Sequence, residues 1–308
     1  MRNSKVEIMG EPAVRINGKD LIGKTGQSIL ELALANGIEI PNLCYDARLS
    51  PSGSCRLCVV DVEGQEGPVC ACTLQIQPGM VVRTETEEIR AIRKTILELL
   101  FYEHRGVCTT CDENGNCKLQ QYAYEYQLSD DVFERGAGEG EEQRENYTTG
   151  NEALEYDPDK CIRCGRCVRI CEEVQADSAL TFKGRAASVE VTTAFDIPLN
   201  DSTCELCGQC ISSCPTGALY ERAAKGKGQC KDLVRTRTTC PYCGVGCQID
   251  LNVNPETKRI VRVTSEVGCI PNNGNLCVKG RFGMDFIASD KRLTEPLIKR
   301  NGKFEKAT

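Results

Sequence analysis

Two stretches, CIRCGRCVRIC at residues 161–171 and CELCGQCISSCP at residues 204–215, repeat one cysteine spacing. Each reads C-x2-C-x2-C-x3-C, with Cys161, Cys164, Cys167 and Cys171 in the first and Cys204, Cys207, Cys210 and Cys214 in the second. Thiolates are soft ligands, and three in one tight loop can hold three corners of an iron–sulfur cubane. The last cysteine of the opposite stretch then supplies the fourth corner. Cys214 is therefore expected to complete the first 4Fe–4S set and Cys171 the second. Zinc asks only for four ligands in a closed shell and does not use this spacing. Pro215 follows Cys214, but Glu172 stands after Cys171.

Three further sets follow the same logic. Cys44 is followed by the close pair Cys55 and Cys58, with Cys70 or Cys72 as the fourth thiol. A sparse cysteine, a C-x2-C pair and a distant fourth suit a plant-type 2Fe–2S site, here with a longer first spacer. His104, the single histidine, opens HRGVCTTCDENGNC, in which Cys108, Cys111 and Cys117 follow as H-x3-C-x2-C-x5-C. A neutral imidazole can replace one thiolate on iron, which removes a negative charge and raises the potential. The bland alternative is an exposed histidine at a helix end, but this one stands beside a triplet lacking its fourth ligand. CPYCGVGC brings Cys240, Cys243 and Cys247, with Cys277 preferred to Cys269 as the fourth because it sits in a compact glycine-bordered turn. In all, nineteen of the 22 cysteines and the one histidine fill five sets of four, leaving Cys230, Cys269 and one of Cys70 or Cys72 over.

The gross composition agrees. The N-terminus, MRNSKVEIMGEPAVRING, has no signal pattern, and no apolar run is long enough to span a bilayer. A cytoplasmic location follows as the expectation, and in a reducing compartment many cysteines mean metal or redox chemistry rather than disulfides. A net charge of −6 offers no basic footprint for nucleic acid.

The elements that must position these ligands are legible in part. VRINGKDLIG predicts a hairpin about Asn17–Gly18. SILELALANG predicts a short helix ending at Gly37, and CVVDV and MVVRTET predict strands, in the order of a β-grasp ferredoxin. TETEEIRAIRKTILELLFYEH predicts a helix with apolar positions 89, 92, 96, 97, 99 and 100 and a capping box from Thr84 to Glu87. LTF and SVEVTTAF predict strands between the two cubane stretches. Residues 128–152, acidic and glycine-rich, predict a solvated connector, and their GAGEG follows no strand and is not a phosphate loop.

The order of sets resembles the N-terminal part of three families: the large iron–sulfur subunit of complex I, the iron-only hydrogenases, and cytosolic NAD(P)-linked formate dehydrogenase alpha subunits. CPYCGVGC followed by LCVKGRFGMDFIASDKRLTEPLIKR resembles the small iron–sulfur domain that opens a molybdopterin oxidoreductase, particularly a formate dehydrogenase. No catalytic-cluster cysteines follow the paired cubane stretches, which speaks against a hydrogenase. By this resemblance Cys72, in ACTLQIQPGM, is the fourth 2Fe–2S ligand and Cys70 is spare, and Cys277 is again favoured over Cys269. The resemblance also places Lys279 between the last cubane and a pterin. Read without it, Lys279 is a surface lysine.

The expected fold class is α+β and modular. Its parts are a β-grasp 2Fe–2S domain (1–85), a helical domain with one-histidine, three-cysteine ligation (86–127), an acidic linker (128–152) and a bacterial two-cluster ferredoxin domain (153–228). A small 4Fe–4S domain of molybdopterin oxidoreductase type (235–290) and the start of a pterin domain (291–308) complete it. One 2Fe–2S and four 4Fe–4S clusters are expected. The catalytic machinery of a formate dehydrogenase lies beyond such a region, so no catalytic residue is expected within the 308 residues. A molybdenum or tungsten bis-pterin guanine dinucleotide would come from further chain or from a partner. The expected partners are a flavin/NAD(P)-binding iron–sulfur subunit or a ferredoxin, and a pterin-bearing domain or subunit. The alternative is a stand-alone relay subunit of a larger complex, one that could bifurcate electrons. GKFEKAT reads as the middle of a segment, which favours the first version.

Overall fold

The computed structural model describes residues 12–104, 108–129, 147–148, 150–185 and 188–307. The chain forms two compact units. The first holds Met1–Cys204 and Gln209–Lys231, and the second holds Glu205–Gly208 and Asp232–Thr308.

In the first unit, β1 (Ala13–Ile16) and β2 (Lys19–Ile22) form a hairpin. Its turn needs two left-handed residues, and Asn17 and Gly18 supply them at φ 49° and 80°. Helix α1 (Ile29–Ala35) starts at a capping box in which Ser28 and Glu31 exchange hydrogen bonds. It buries Ile29, Leu30, Leu32 and Ala33 against the sheet. With β3 (Val59–Val62), β4 (Val69–Cys70) and β5 (Val81–Arg83) the strands order β2-β1-β5-β3-β4. The β1–β5 pair is parallel and the rest are antiparallel.

Helix α2 (Glu87–Glu103) differs from expectation at two points. Its N-cap is Thr86, whose hydroxyl accepts from the Ile89 N–H. Thr84 cannot form the expected capping box because Asn17 claims both its N–H and its hydroxyl. The buried stripe is Ile89, Arg93, Leu97 and Phe101, so Leu99 faces outward at 63% exposure. Leu97 and Phe101 join α3 (Lys118–Glu125), Leu43, Cys44, Leu57, Ile162 and Cys164 in a second core. Two ligand loops and two helices thus share one apolar interior.

The connector is not solvated throughout. Leu128, Tyr147, Thr148 and Asn151 are buried. Asn151 Oδ1 accepts from the Ala153 and Leu154 N–H groups and Thr148 Oγ1 from that of Tyr156, which pins the stretch to β6 (Leu154–Tyr156). Residues 130–146, GAGEG among them, lie outside the described residues, as do 1–11. β6 pairs with β9 (Leu219–Glu221), and β7 (Leu180–Lys183) pairs with β8 (Glu190–Thr193).

The second unit is built on an antiparallel sheet of β10 (Val234–Thr239), β11 (Gln248–Val253) and β12 (Ile260–Thr264). The hairpin β13 (Leu297–Arg300) and β14 (Lys303–Lys306) follows. Asp250 on β11 is 1% exposed and sits between Arg235 and Arg237, the latter 2.8 Å away. The Arg237 hydrogen bond, aided by Arg235, holds its carboxyl below the usual range against the opposing effect of burial. That stabilisation is complete above the unfolded carboxylate pKa of about 4 and is lost as pH falls towards the lower folded value. Asp250→Asn is expected to destabilise the second unit by about 2 kcal/mol at neutral pH, and by less at pH 3. Chemical denaturation at both pH values checks this. An equal loss at both would rule it out.

Among the described residues no helix is long and apolar enough to cross a membrane.

Candidate metal centres

In the first set, Cys44, Cys55, Cys58 and Cys72 are all buried. Gly53 (φ 63°) and Arg56 (φ 57°) bend the chain around them. The Cys55 and Cys72 thiols both hydrogen-bond to Cys44 and drive its pKa far below the usual thiol value. Cys72 correspondingly rises to about 12, chiefly from its contact with Cys44. Cys72 also meets Cys58, whereas Cys70 meets Cys58 and takes a hydrogen bond from Arg56 Nη1 at 3.5 Å. The fold therefore brings Cys72 to both Cys44 and Cys58, and Cys70 to Cys58 and Arg56.

His104 caps the C-terminus of α2, its N–H bonded to the Leu100 carbonyl. It is buried, with Phe101 edge-on to its ring at 5.8 Å, and burial lowers its pKa, favouring the neutral imidazole a metal needs. Its Nδ1 lies 3.0 Å from the Lys160 carbonyl oxygen. A carbonyl only accepts, so Nδ1 carries the proton and Nε2 keeps its lone pair. Cys117, the N-cap of α3, is pushed up to about 12 by burial and feels the charges of Cys108 and Cys111. Residues 105–107, between His104 and Cys108, lie outside the described residues.

Cys161, Cys164, Cys167 and Cys214 line one cavity of ≈ 310 Å³, open in part to solvent. Tyr156, Ile162, Val191, Thr216 and Leu219 complete much of its wall. Gly165 (φ 72°) turns the loop where a side chain would press on Phe182. Burial lifts Cys164 to about 12. The Tyr147 hydroxyl is buried without a hydrogen-bond partner, and Cys167 and Cys210 are the charges it feels most. A sulfur-rich guest fits this donor set. Four thiols line it within a largely apolar wall, and thiolates are the ligands such a group takes. Among the described residues no three His, Cys, Asp or Glu side chains are drawn together tightly enough to grip a single ion.

Cys171 lies buried in a π-helical turn, Ile170–Val174, where the Leu180 and Ala179 N–H groups point at its sulfur. Such turns recur at functional sites. Cys204 and Cys210 are half-buried members of the first unit. Cys207 belongs to the second, where its carbonyl accepts from Arg281 Nε at 2.9 Å. In that unit Cys247 feels Cys240, Cys243 and Cys277 together, whereas Cys269 is felt by Arg237. Cys277 caps the helix Val278–Phe282, on which Lys279 is exposed.

Sequence reasoning missed the polar groups that join the loops. Asp46 is buried between Arg48 (2.8 Å) and Arg166 (2.7 Å), which outweigh its burial and hold its carboxyl well below the usual range. Arg169 donates to the carbonyls of Cys44 and Ser50, and Glu173 accepts from the Ser50 N–H. The 44–50 loop is thereby fastened to the turn that carries Cys167 and Cys171. No spacing announces such pairs.

Four family descriptions match in chain order. They are a 2Fe-2S iron-sulfur cluster binding domain (13–87), an NADH-ubiquinone oxidoreductase-G iron-sulfur binding region (93–131), an NADH-quinone oxidoreductase subunit 3 ferredoxin-like domain (152–220) and a molybdopterin oxidoreductase Fe4S4 domain (233–289). A crystal structure of an NAD+-reducing [NiFe]-hydrogenase matches at TM-score 0.63 and 31% identity, over 71% of this chain and 91% of that one. The chain belongs to the NADH-quinone oxidoreductase G-like and molybdopterin oxidoreductase iron–sulfur family. Within this family, NADPH-Fe(3+) oxidoreductase subunit alpha of Geobacter sulfurreducens is 36% identical over 93% of this chain and 33% of its own length. An NADH-quinone oxidoreductase G 2 subunit of Rhizobium meliloti is 37% identical over 94% of this chain and 33% of its own length. The chain spans about a third of the length of these curated relatives.

Proposed function

We propose that the chain is a multi-cluster electron relay between an NAD(P)/flavin- or ferredoxin-linked partner and a molybdenum or tungsten pterin centre that interconverts formate and carbon dioxide. The four-cysteine cavity carries the reading, because it shares one core with the Cys44 loop and one carbonyl with His104. One 2Fe–2S set is assigned to Cys44, Cys55, Cys58 and Cys72. Four 4Fe–4S sets are assigned to His104 with Cys108, Cys111 and Cys117; to Cys161, Cys164, Cys167 and Cys214; to Cys204, Cys207, Cys210 and Cys171; and to Cys240, Cys243, Cys247 and Cys277. Clusters so held exchange single electrons, with potentials tuned by ligand type, hydrogen bonding and burial. The protein orients the ligands: Lys160 fixes the His104 ring, Arg169 and Asp46 fasten the Cys44 loop, and Val191 and Leu219 keep the cavity apolar. Lys279 is assigned to the approach between the last set and the pterin. The six-part division of the chain set out from its sequence is retained with this reading.

The formate assignment rests on the resemblance of the CPYCGVGC and LCVKGRFG segments. A second reading, a relay that works from NADPH without formate, is favoured by the likeness to the Geobacter protein. The anaerobically purified native complex distinguishes them. About 18 irons per chain before a partner's own clusters are counted, stoichiometric molybdenum or tungsten, and bleaching of the visible absorbance by formate are expected. Iron without either metal, and bleaching by NADPH alone, would replace the first reading with the second.

A further inference from the structure

The Lys160 carbonyl oxygen receives two buried side chains from distant parts of the chain. His104 Nδ1 lies 3.0 Å away, and Thr216 Oγ1 donates to it at 2.8 Å. Solvent competes weakly, because His104 is 6% and Thr216 1% exposed. Lys160 is joined by its own peptide bond to Cys161. Thr216 lies two residues beyond Cys214, with Oγ1 3.8 Å from the Cys214 sulfur. Thr216, Cys161 and Cys214 line the same cavity. One polar junction therefore reaches two ligand sets.

A threonine hydroxyl has a single proton. Given to Lys160, it leaves only lone pairs facing Cys214. Given to Cys214, it leaves His104 as the one side-chain donor to the carbonyl. The first arrangement anchors the carbonyl that orients the imidazole, and the second places a donor on a thiolate. Hydrogen bonds to cluster sulfurs and to a ligating imidazole both tune a centre's potential.

We propose that Thr216 is a positioning residue for His104, acting through the Lys160 carbonyl to which it gives its one proton. The proposal rests on the ligand assignment above.

The test uses the anaerobic native complex with 15N-labelled histidine. Thr216→Val removes the hydroxyl at nearly constant volume, and Thr216→Ser keeps it. Pulsed EPR reads the histidine nitrogen coupling, and redox titration reads the reduced-to-oxidised ratio of each cubane signal at fixed potential. Thr216→Val is expected to change the nitrogen coupling and to move the ratio of the histidine-ligated cubane's signal by about fivefold, the order of one buried hydrogen bond. Thr216→Ser is expected to match the native protein. An unchanged nitrogen coupling or an unchanged histidine-ligated signal in the valine variant, or an equal shift in the serine variant, would each overturn the proposal. Thr216→Ala provides the same comparison if the valine variant does not assemble. Absence of nitrogen coupling in the native protein would instead remove the ligand assignment, and the proposal with it.

Discussion

Replacing Cys72 by serine is expected to remove about two irons per chain and the 2Fe–2S signal, while Cys70→Ser leaves both in place. The two cysteines stand two residues apart and are both buried, so composition and burial do not separate them. Position does. Cys72 meets Cys44 and Cys58, one from each end of the ligand loop, whereas Cys70 meets Cys58 and the Arg56 guanidinium. Serine nearly preserves the volume, so lost iron reports lost ligation rather than a collapsed core. Because a bound metal group contributes its binding free energy to folding, the Cys72 variant should also unfold at lower temperature than the Cys70 variant. Iron analysis and EPR of the two anaerobically purified variants decide it. Loss of the signal in Cys70→Ser with retention in Cys72→Ser would transfer the fourth position to Cys70.

Arg93→Ala is expected to destabilise the first unit by about 3–5 kcal/mol. Arg93 lies on the buried stripe of α2 at 0% exposure. Its guanidinium donates to the Val59 carbonyl at 2.7 Å, the Tyr126 hydroxyl at 3.1 Å and the Glu85 carboxylate at 2.6 Å. One side chain thus ties α2 to β3 and to the end of α3. Alanine would leave a cavity and strand the Val59 carbonyl in a dry interior, and each effect is costly. The consequence should reach the ligands, since α2 carries His104 at its C-terminus. Denaturant unfolding of the chain gives the stability loss directly. A loss below about 1 kcal/mol would mean that the guanidinium network contributes no more than a surface pair.

Much of this molecule is local and so was open to reading from the sequence. The repeated cysteine spacings are short-range, so they stand in the sequence as local patterns. The Asn17–Gly18 turn and the extent of α2 also follow from neighbouring residues, through left-handed backbone freedom and apolar period. The start of α2 did not, because Thr84 looked like a cap until the fold brought Asn17 to it.

The chain by itself determined which thiols, and which imidazole, stand at the spacing of metal ligands. The tertiary structure alone decided that Arg93 is interior rather than on the wet face of its helix, and that the Asp46 carboxylate is buried between two arginines. It also decided that Thr216 and His104 meet at one carbonyl. Each of these depends on segments remote in sequence crossing in space. A buried polar group is stable only where such a crossing supplies its partner, and no local pattern records where that will be.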